Sequence, residues 1–246
     1  MKSVLRSVGL LLLALLALQI YFVLRIAAMA FIAPESTAFE RSEAWRIGTE
    51  KGSLPWRQAW VPYAQISDHL KRAVIASEDD GFDTHGGVDW EAIQKAWDKN
   101  AKAEQRAAAR KPASAKAAAA VKPPKIVGGS TITQQLAKNL FLAGERTLVR
   151  KGQELVVTLL LEQFLSKQRI LEIYLNHVEW GEGVFGAEAA AQHYFRKPAS
   201  KLNAFEAARL AVMLPRPKYF EKLPNSGYLS SRTGVIMGRM GDAQLP

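Results

Sequence analysis

The sequence contains no cysteine, so disulfide bonds contribute nothing to its stability and the chain suits an oxidising or a reducing compartment. It also lacks any convincing run of alternating polar and apolar residues, so β structure should amount to a minor hairpin at most. Its 246 residues are 48% hydrophobic, enough for a real core in one domain of ordinary to large size or in a domain with an anchor. These features predict a mainly α protein.

Acidic residues are in the minority, with 23 Asp and Glu against 33 Lys and Arg and a net charge of +10. Eight of the basic residues and only two acidic ones lie between Asp98 and Lys125, so +6 of that charge belongs to one Ala- and Lys-rich segment. The rest of the chain is mildly basic, which argues against a nucleic-acid partner. Because no large apolar residue occurs between Trp97 and Val121, we predict a flexible basic insert at about 99–125, a mobile loop or a fraying helix.

The amino terminus places Lys2 and Arg6 before an uncharged run of eighteen residues, Ser7 to Leu24. Such a run nearly spans a bilayer core of about 30 Å, and the basic flank predicts a cytoplasmic amino terminus. We therefore interpret residues 1–34 as a cytoplasmic start and a transmembrane anchor, with a cleaved signal peptide as the alternative. Residues 35–246 form the second unit, which opens with a stretch predicted to be irregular, Ala38 to Ala64.

The densest polar cluster is Ala76 to Asp89, which places five carboxylates, one histidine and three glycines in fourteen residues after an apolar helical run. Glu78 and Asp79 are adjacent acids that repel each other, an arrangement that suits a site where burial or a substrate hydroxyl sets the charge. Glu78 is thus a candidate general base. The alternative is a solvated turn whose acids face only water.

Two later helices carry polar residues where they begin. Ser130 or Thr131 can cap a helix that presents Gln135 and Lys138, a surface suited to hydroxyls and phosphate, although an ordinary capped helix has the same pattern. Arg150 and Glu154 open a helix whose continuation, Leu155 to Leu161, is apolar on almost every face. We predict that this helix is the centre of the domain, and that the Arg150–Glu154 pair is functional or a routine helix stabiliser.

Five blocks in order resemble the peptidoglycan glycosyltransferases of family 51. They are Glu78-Asp79-x-x-Phe82-x-x-His85-x-Gly87, Gly128-x-Ser130-Thr131-x-Thr133-Gln134-Gln135-Leu136-x-Lys138-Asn139, Arg150-Lys151-x-x-Glu154, Lys167-x-x-Ile170-Leu171-Glu172-x-Tyr174-Leu175-Asn176, and Glu206-Ala207-Ala208 leading to Leu214-Pro215-x-Pro217. The resemblance covers about Ala73 to Tyr219, and it implies a lysozyme-like helical glycosyltransferase domain preceded by a single transmembrane helix.

The resemblance also implies a reaction and its residues. Glu78 would be the catalytic base that takes the proton from the GlcNAc 4-hydroxyl of an acceptor lipid II, which attacks MurNAc C1 of a lipid-linked glycan with inversion and loss of undecaprenyl pyrophosphate. Glu154 would be the second essential catalytic acid, which either positions the acceptor or helps to bind a divalent ion, and Lys138 and Arg150 would bind the pyrophosphate. The remaining substrate-binding set is Asp79, Phe82, His85, Ser130, Thr131, Gln135 and Asn139, although for His85 a structural role in the turn fits equally well.

No cofactor or protein metal site is predicted with certainty, but magnesium or manganese could bind at the pyrophosphate. The expected partners are lipid II, a lipid-linked glycan chain, the inner membrane and other cell-wall synthesis proteins, with the catalytic domain in the periplasm. Only Lys218 to Pro246 follow the last block, so we expect a monofunctional enzyme without a transpeptidase domain. Two other hypotheses remain: a lytic transglycosylase that cuts glycan, and an inactive membrane-anchored scaffold.

Overall fold

The structure is a computed structural model that describes residues 2–109, 128–142 and 147–246. Within these ranges the chain is mainly α, as predicted. The helices are α1 (Lys2–Ala28), α2 (Ala38–Lys51), α3 (Asp68–Glu78), α4 (Trp90–Ala109), α5 (Ile132–Phe141), α6 (Leu148–Phe164), α7 (Lys167–His177), α8 (Ala187–Phe195), α9 (Ala204–Met213), α10 (Pro217–Lys222) and α11 (Gly227–Arg239). Short 3₁₀ turns lie at Tyr63–Gln65 and Ala199–Lys201.

Among the described residues, α1 alone is long and apolar enough to cross a membrane, with a mean hydropathy of 2.4 over its most apolar window. Most of α1 stands clear of the rest of the protein, so it fits a single-pass membrane anchor. Its carboxyl end is different, because Phe22, Ile26 and then Met29 are buried in the main hydrophobic core. The anchor and the domain are therefore joined by packing as well as by the chain.

The centre of the domain is formed by α3, α7 and α9. Helix α3 buries a continuous face that includes Leu70 and Val74, and it packs against α9, which also packs against α11. Buried alanines on α9, such as Ala207 and Ala211, keep the α9 surface low enough for this close approach. The acidic turn therefore begins at the end of a helix that is packed into the core.

The prediction that the helix through Leu155–Leu161 lies at the centre is wrong. In α6 the buried side chains are Glu154, Val157, Thr158 and Leu161, whereas Leu155 and Leu159 are 38% and 51% exposed. One face of α6 packs on α5 and another meets α1. An apolar pattern all round a helix does not distinguish a central helix from one that packs on the core with only part of its circumference.

The stretch Ala38–Ala64 is not irregular throughout, because α2 occupies its first half. Thr37 and Glu40 form a reciprocal capping box there: the Thr37 hydroxyl accepts from the Glu40 N–H at 3.0 Å, and Glu40 accepts from the Thr37 N–H at 2.7 Å. Further along, α4 continues to Ala109, so the first part of the segment predicted as a flexible insert is helical. The rest of that insert, from residue 110 onward, lies outside the described residues.

Three short strands form a small sheet in the order β1-β3-β2: β1 (Arg57–Gln58), β2 (Glu179–Gly181) and β3 (Val184–Phe185). β2 and β3 make the minor antiparallel hairpin, and β1 adds a parallel strand that the sequence pattern did not indicate. The turn requires Gly183, which has φ +72° and lies where an added Cβ would stand 2.1 Å from the Pro55 carbonyl oxygen. The hairpin fixes the position of Glu179 beside the candidate site.

Candidate active site

Glu78 is the last residue of α3, and its carboxylate is held by a side chain from α5. Gln135 Nε2 donates to Glu78 Oε2 at 3.0 Å, and the buried Tyr174 hydroxyl donates to Gln135 Oε1 at 3.0 Å. Since Tyr174 occupies the amide oxygen, the amide nitrogen is directed at the carboxylate. Tyr174 belongs to the fourth sequence block but was missed as a functional residue, because an aromatic in an apolar helix looks like ordinary core.

The surroundings of Glu78 favour its protonated form. Burial raises the pKa of the Glu78 carboxyl above its ordinary value, and the charge of the adjacent Asp79 adds to the rise, while the hydrogen bonds from Gln135 and Ser77 oppose it. A carboxylate whose pKa moves toward neutrality is a better proton acceptor than a solvated one. These properties are those of a general base, and they disagree with a turn whose acids face only water.

Asp79 and His85 lock the turn from inside. Asp79 Oδ1 accepts from His85 Nε2 at 2.8 Å, and Asp79 Oδ2 accepts from the Ile132 N–H at the start of α5, also at 2.8 Å. The other ring nitrogen, His85 Nδ1, accepts from the Gly87 N–H at 3.1 Å, which fixes the ring as a donor through Nε2. Both side chains thus have their polar atoms occupied by protein partners, which supports the structural role for His85.

Phe82 and Thr131 are also buried supports of the turn. Phe82 has no exposed surface, and Lys167 Nζ lies 4.6 Å from its ring centroid, so Phe82 supports the turn from its buried side. The Thr131 hydroxyl caps α5 by accepting from the Gln134 N–H and donates to the Gly87 carbonyl oxygen at 2.6 Å. Thr131 is thus the helix cap that the sequence left open between it and Ser130, which is exposed.

Gly87 explains why the turn can approach α6 so closely. Its φ is +86°, and an added Cβ would lie 2.7 Å from Glu162 Cγ and 2.8 Å from Thr158 Cγ2. Glu162 in turn accepts from Thr133 at 2.6 Å and from Lys167 at 2.9 Å. This partly buried network ties together α5, α6 and α7 under the turn, and no sequence motif indicates the role of Glu162.

Two cavities flank Glu78 and Gln135. The Glu78 cavity, about 300 Å³, is lined by Glu78, Asp79, Asp80, Asp89, Ser130, Thr131, Lys95, Lys99 and Arg239 together with small residues. The Lys138 cavity, about 390 Å³, is lined by Gln135, Lys138, Asn139, Arg150 and Glu179 together with apolar side chains. The Gln135–Glu78 hydrogen bond joins an acid that lines one cavity to an amide side chain that lines the other.

Arg150 and Glu154 form the predicted pair one turn apart on α6. Arg150 Nη1 donates to Glu154 Oε2 at 2.9 Å, and Lys151 Nζ donates to Glu154 Oε1 at 2.5 Å. Glu154 is 4% exposed and does not line either cavity, whereas Arg150 lines the Lys138 cavity with a buried Nε that has no hydrogen-bond partner among the described residues. Glu154 is therefore connected to the Lys138 cavity through its pair with Arg150.

Glu179 is a second acid of the Lys138 cavity that sequence reasoning missed. It is 8% exposed, and burial raises the pKa of its carboxyl to about 7, although Lys218 Nζ at 3.1 Å acts in the opposite direction. Lys218 also pairs with Glu43 of α2. No local pattern marks Glu179, because only the folding of the β2–β3 hairpin brings it beside α5 and α6.

A metal site made by the protein alone is absent from the described part of the chain, where no group of three or more histidine or carboxylate side chains could hold an ion. A divalent ion in the Lys138 cavity would need substrate oxygens among its ligands. The predicted magnesium or manganese at the pyrophosphate therefore stays a prediction.

The structure thus combines a mainly helical domain, a carboxyl whose pKa is raised by burial, and a neighbouring cavity lined by Lys138 and Arg150. The model of the family described as Transglycosylase matches residues 48–241. The chain belongs to this family.

Curated relatives agree over nearly the whole chain. A protein of Burkholderia thailandensis is 54% identical over 233 residues, which cover 95% of this chain and 84% of the relative. Proteins of Burkholderia ambifaria and Burkholderia pseudomallei are each 52% identical over 95% of this chain, and over 87% and 84% of their own lengths. All three are named biosynthetic peptidoglycan transglycosylase. The family and the enzyme class predicted from the sequence, a monofunctional peptidoglycan glycosyltransferase of cell-wall synthesis, are confirmed.

Proposed function

We propose that this chain polymerises lipid II into glycan strands with Glu78 as the general base. The supporting observation is the Gln135–Glu78 hydrogen bond, which joins the carboxylate of one cavity to the cation-lined wall of the next. A hydroxyl bound in the Glu78 cavity lies next to the Glu78 carboxylate. A diphosphate bound in the Lys138 cavity lies next to Lys138 and Arg150.

In this reaction Glu78 accepts the proton of the GlcNAc 4-hydroxyl, and that oxygen forms a bond to C1 of the donor MurNAc. The bond between C1 and the phosphate oxygen breaks with inversion at C1, and its electron pair leaves with undecaprenyl pyrophosphate. The leaving group gains negative charge in the transition state, which is where fixed cations lower the barrier. Lys138 and Arg150 supply those cations.

Glu154 contributes as a positioning residue in this proposal. Both of its oxygens accept hydrogen bonds from cations of its own helix, so it holds the Arg150 guanidinium toward the Lys138 cavity. A free arginine side chain would lose conformational entropy on meeting the diphosphate, and the pair removes part of that cost in advance. Asn139 and Ser130 complete the contacts with the two substrates, each from the rim of its own cavity.

We further propose that the amino terminus is cytoplasmic and that the domain faces the periplasm from the inner membrane. Lys2 and Arg6 precede the apolar run, and Glu35, Glu40 and Glu43 follow it, which agrees with the positive-inside tendency. Reporter fusions after Pro246 test this orientation: a periplasmic reporter should be active and a cytoplasmic one silent. The opposite pattern would refute it.

The experiment that tests the activity is incubation of the full chain, reconstituted in a bilayer, with labelled lipid II and separately with purified sacculi. Polymerised glycan from lipid II, with no fragments released from sacculi, is the expected result. Released fragments would indicate the lytic alternative, and no product from either substrate would indicate a scaffold. Repeating the lipid II reaction with a chelator tests whether the reaction requires a divalent ion. Other cell-wall synthesis proteins remain predicted partners.

A further inference from the structure

A third cavity, of about 200 Å³, lies between the membrane anchor and the domain. We call it the Arg25 cavity, and its walls are apolar side chains from α1 and α5, including Leu18, Phe22 and Phe141. Phe22 and Phe141 close its inner wall with their ring centroids 5.2 Å apart in an edge-to-face contact. Leu140 and Phe141 face this cavity while Lys138 and Asn139 face the Lys138 cavity, so the two cavities flank the last turn of α5.

The polar side of the Arg25 cavity is positive. Arg25 from α1 and Arg41 from α2 both line it, both are exposed, and no carboxylate is among its described lining residues. Arg41 Nη1 donates to Ser36 Oγ at 3.0 Å, which leaves most of its guanidinium donors for a ligand. Two guanidinium groups above an apolar wall recognise an amphipathic anion, because arginine binds phosphate through paired N–H groups.

The position of the Arg25 cavity along the bilayer normal indicates which ligand can reach it. Arg6 is the last charged residue before the apolar run of α1, and Arg25 is the first charged residue after it. At about 1.5 Å per residue their separation along the helix is roughly 29 Å, close to the hydrocarbon thickness of about 30 Å. Arg25 therefore lies at the level of the lipid phosphates on the side of the domain. Arg169 Nε donates to the Met29 carbonyl oxygen at 2.7 Å, which holds the domain against the anchor at this depth.

We propose that the Arg25 cavity binds one anionic phospholipid, with its phosphate between Arg25 and Arg41 and an acyl chain along Leu18 and Phe22. A volume of about 200 Å³ suits a phosphate and the first methylenes of a chain. It does not accommodate a disaccharide-peptide substrate, whose diphosphate has its own cations on the other side of α5. The inference rests on α1 as a membrane anchor and is independent of the chemistry at Glu78. The bound lipid fixes the depth of the domain relative to the bilayer.

The test is native mass spectrometry of the full chain, transferred from detergent into nanodiscs that hold equal amounts of phosphatidylglycerol and phosphatidylcholine with the same acyl chains. The wild-type protein should retain one phosphatidylglycerol in several-fold preference to phosphatidylcholine as the nanodisc is stripped. Equal retention of the two lipids would overturn the proposal without any variant, and therefore without any question of misfolding.

The first variant combines Arg25→Gln with Arg41→Gln. The matched control combines Arg106→Gln with Arg232→Gln, which removes the same charge from residues that do not line the cavity. The first pair should lose the preference and the second should keep it; unchanged retention by the first pair would refute the site. Adding undecaprenyl pyrophosphate in equal amount tests the other lipid anion, and its displacement of phosphatidylglycerol would overturn the assigned occupant. Lipid II polymerisation by the wild type is measured separately, so failure here does not bear on the catalytic proposal.

Discussion

The turn after α3 and the Lys138 cavity use their polar groups in opposite ways. In the turn, both oxygens of Asp79 and both ring nitrogens of His85 are occupied by protein partners. In the Lys138 cavity, Arg150 keeps a buried Nε without a hydrogen-bond partner among the described residues, and Glu179 holds a carboxyl whose pKa is about 7. The turn therefore supports the site from within, whereas the Lys138 cavity keeps polar groups available to a ligand. Variants can separate the two groups.

The largest effect is expected for Glu78→Gln. This change keeps the side-chain shape but removes the base, so polymerisation of lipid II should fall by roughly 10²- to 10⁴-fold. The melting temperature should not fall, since burial already penalises the charged carboxylate. Asp83→Asn is the matched control, because Asp83 is an exposed carboxylate of the same turn. A folded Glu78→Gln protein with near wild-type turnover would exclude Glu78 from the reaction.

The next effect is expected for Lys138→Ala and Arg150→Ala. Removing a cation that meets the leaving group should reduce turnover by roughly 10²-fold and change the melting temperature little. Arg150→Lys should stay impaired, because lysine lacks the two-pronged geometry, while Lys138→Arg should retain part of the activity. Turnover and melting temperature are measured on the same preparations.

Lys151→Ala is the control that sharpens this result. Lys151 also donates to Glu154 but does not line the Lys138 cavity. If Arg150 only stabilised the helix, Arg150→Ala and Lys151→Ala would lower the melting temperature alike and leave turnover in proportion to the folded fraction. That outcome would remove Arg150 from the binding of diphosphate.

A substitution inside the turn should lower the stability of the folded protein. Asp79→Asn leaves one of two buried donors, His85 Nε2 or the Ile132 N–H, facing an amide NH₂ group, which costs roughly 2–4 kcal/mol. Urea unfolding measures this loss. Asp80→Asn should change stability by less than about 0.5 kcal/mol, because Asp80 is exposed and pairs with Arg239 on the surface. Equal stabilities of the two variants would contradict the internal role of Asp79.

The smallest effect concerns the pH dependence due to Glu179. Its pKa is raised from 4.5 to about 7 in the folded protein, so the folded state holds a proton that the unfolded state releases between these values. The stability that comes with this proton is complete below pH 4.5 and is lost as the pH rises through 7, a change of about 1–3 kcal/mol. Glu179→Gln should show a smaller loss of stability from pH 5 to pH 8 in urea titrations. An unchanged pH profile would place the pKa of Glu179 near its ordinary value.

Much of the site could be predicted because a motif keeps its members close in sequence. Glu78 and Asp79 are adjacent in the sequence. Gln135 and Lys138 are three residues apart, so helical geometry places them on the same side of their helix. The direction of each side chain was not predictable, since Phe82 and Thr131 have site-like positions in the motif but are buried. Glu179 could not be found, because its neighbours come from distant parts of the chain.

The fold shows the same limit. Helix α2 has no apolar stripe, so the hydrophobic pattern does not predict it, although Thr37 and Glu40 have the residue types and the spacing of a capping box. The apolar pattern of α6 predicts a central helix, but the pattern alone does not show which of its residues contact α1, which contact α5 and which are exposed. Local signals fix where a helix begins, whereas the partners of its faces depend on residues far along the chain.

The contact from Gln135 to Glu78 also limits where a proton held by Glu78 can go. An amide nitrogen donates its hydrogens but does not accept one, so a proton taken up by Glu78 does not pass through Gln135 to Tyr174 and the interior. In the reaction proposed above, each sugar addition leaves one proton on the Glu78 carboxyl, and the Glu78 cavity is the side on which that proton can leave before the next acceptor is deprotonated.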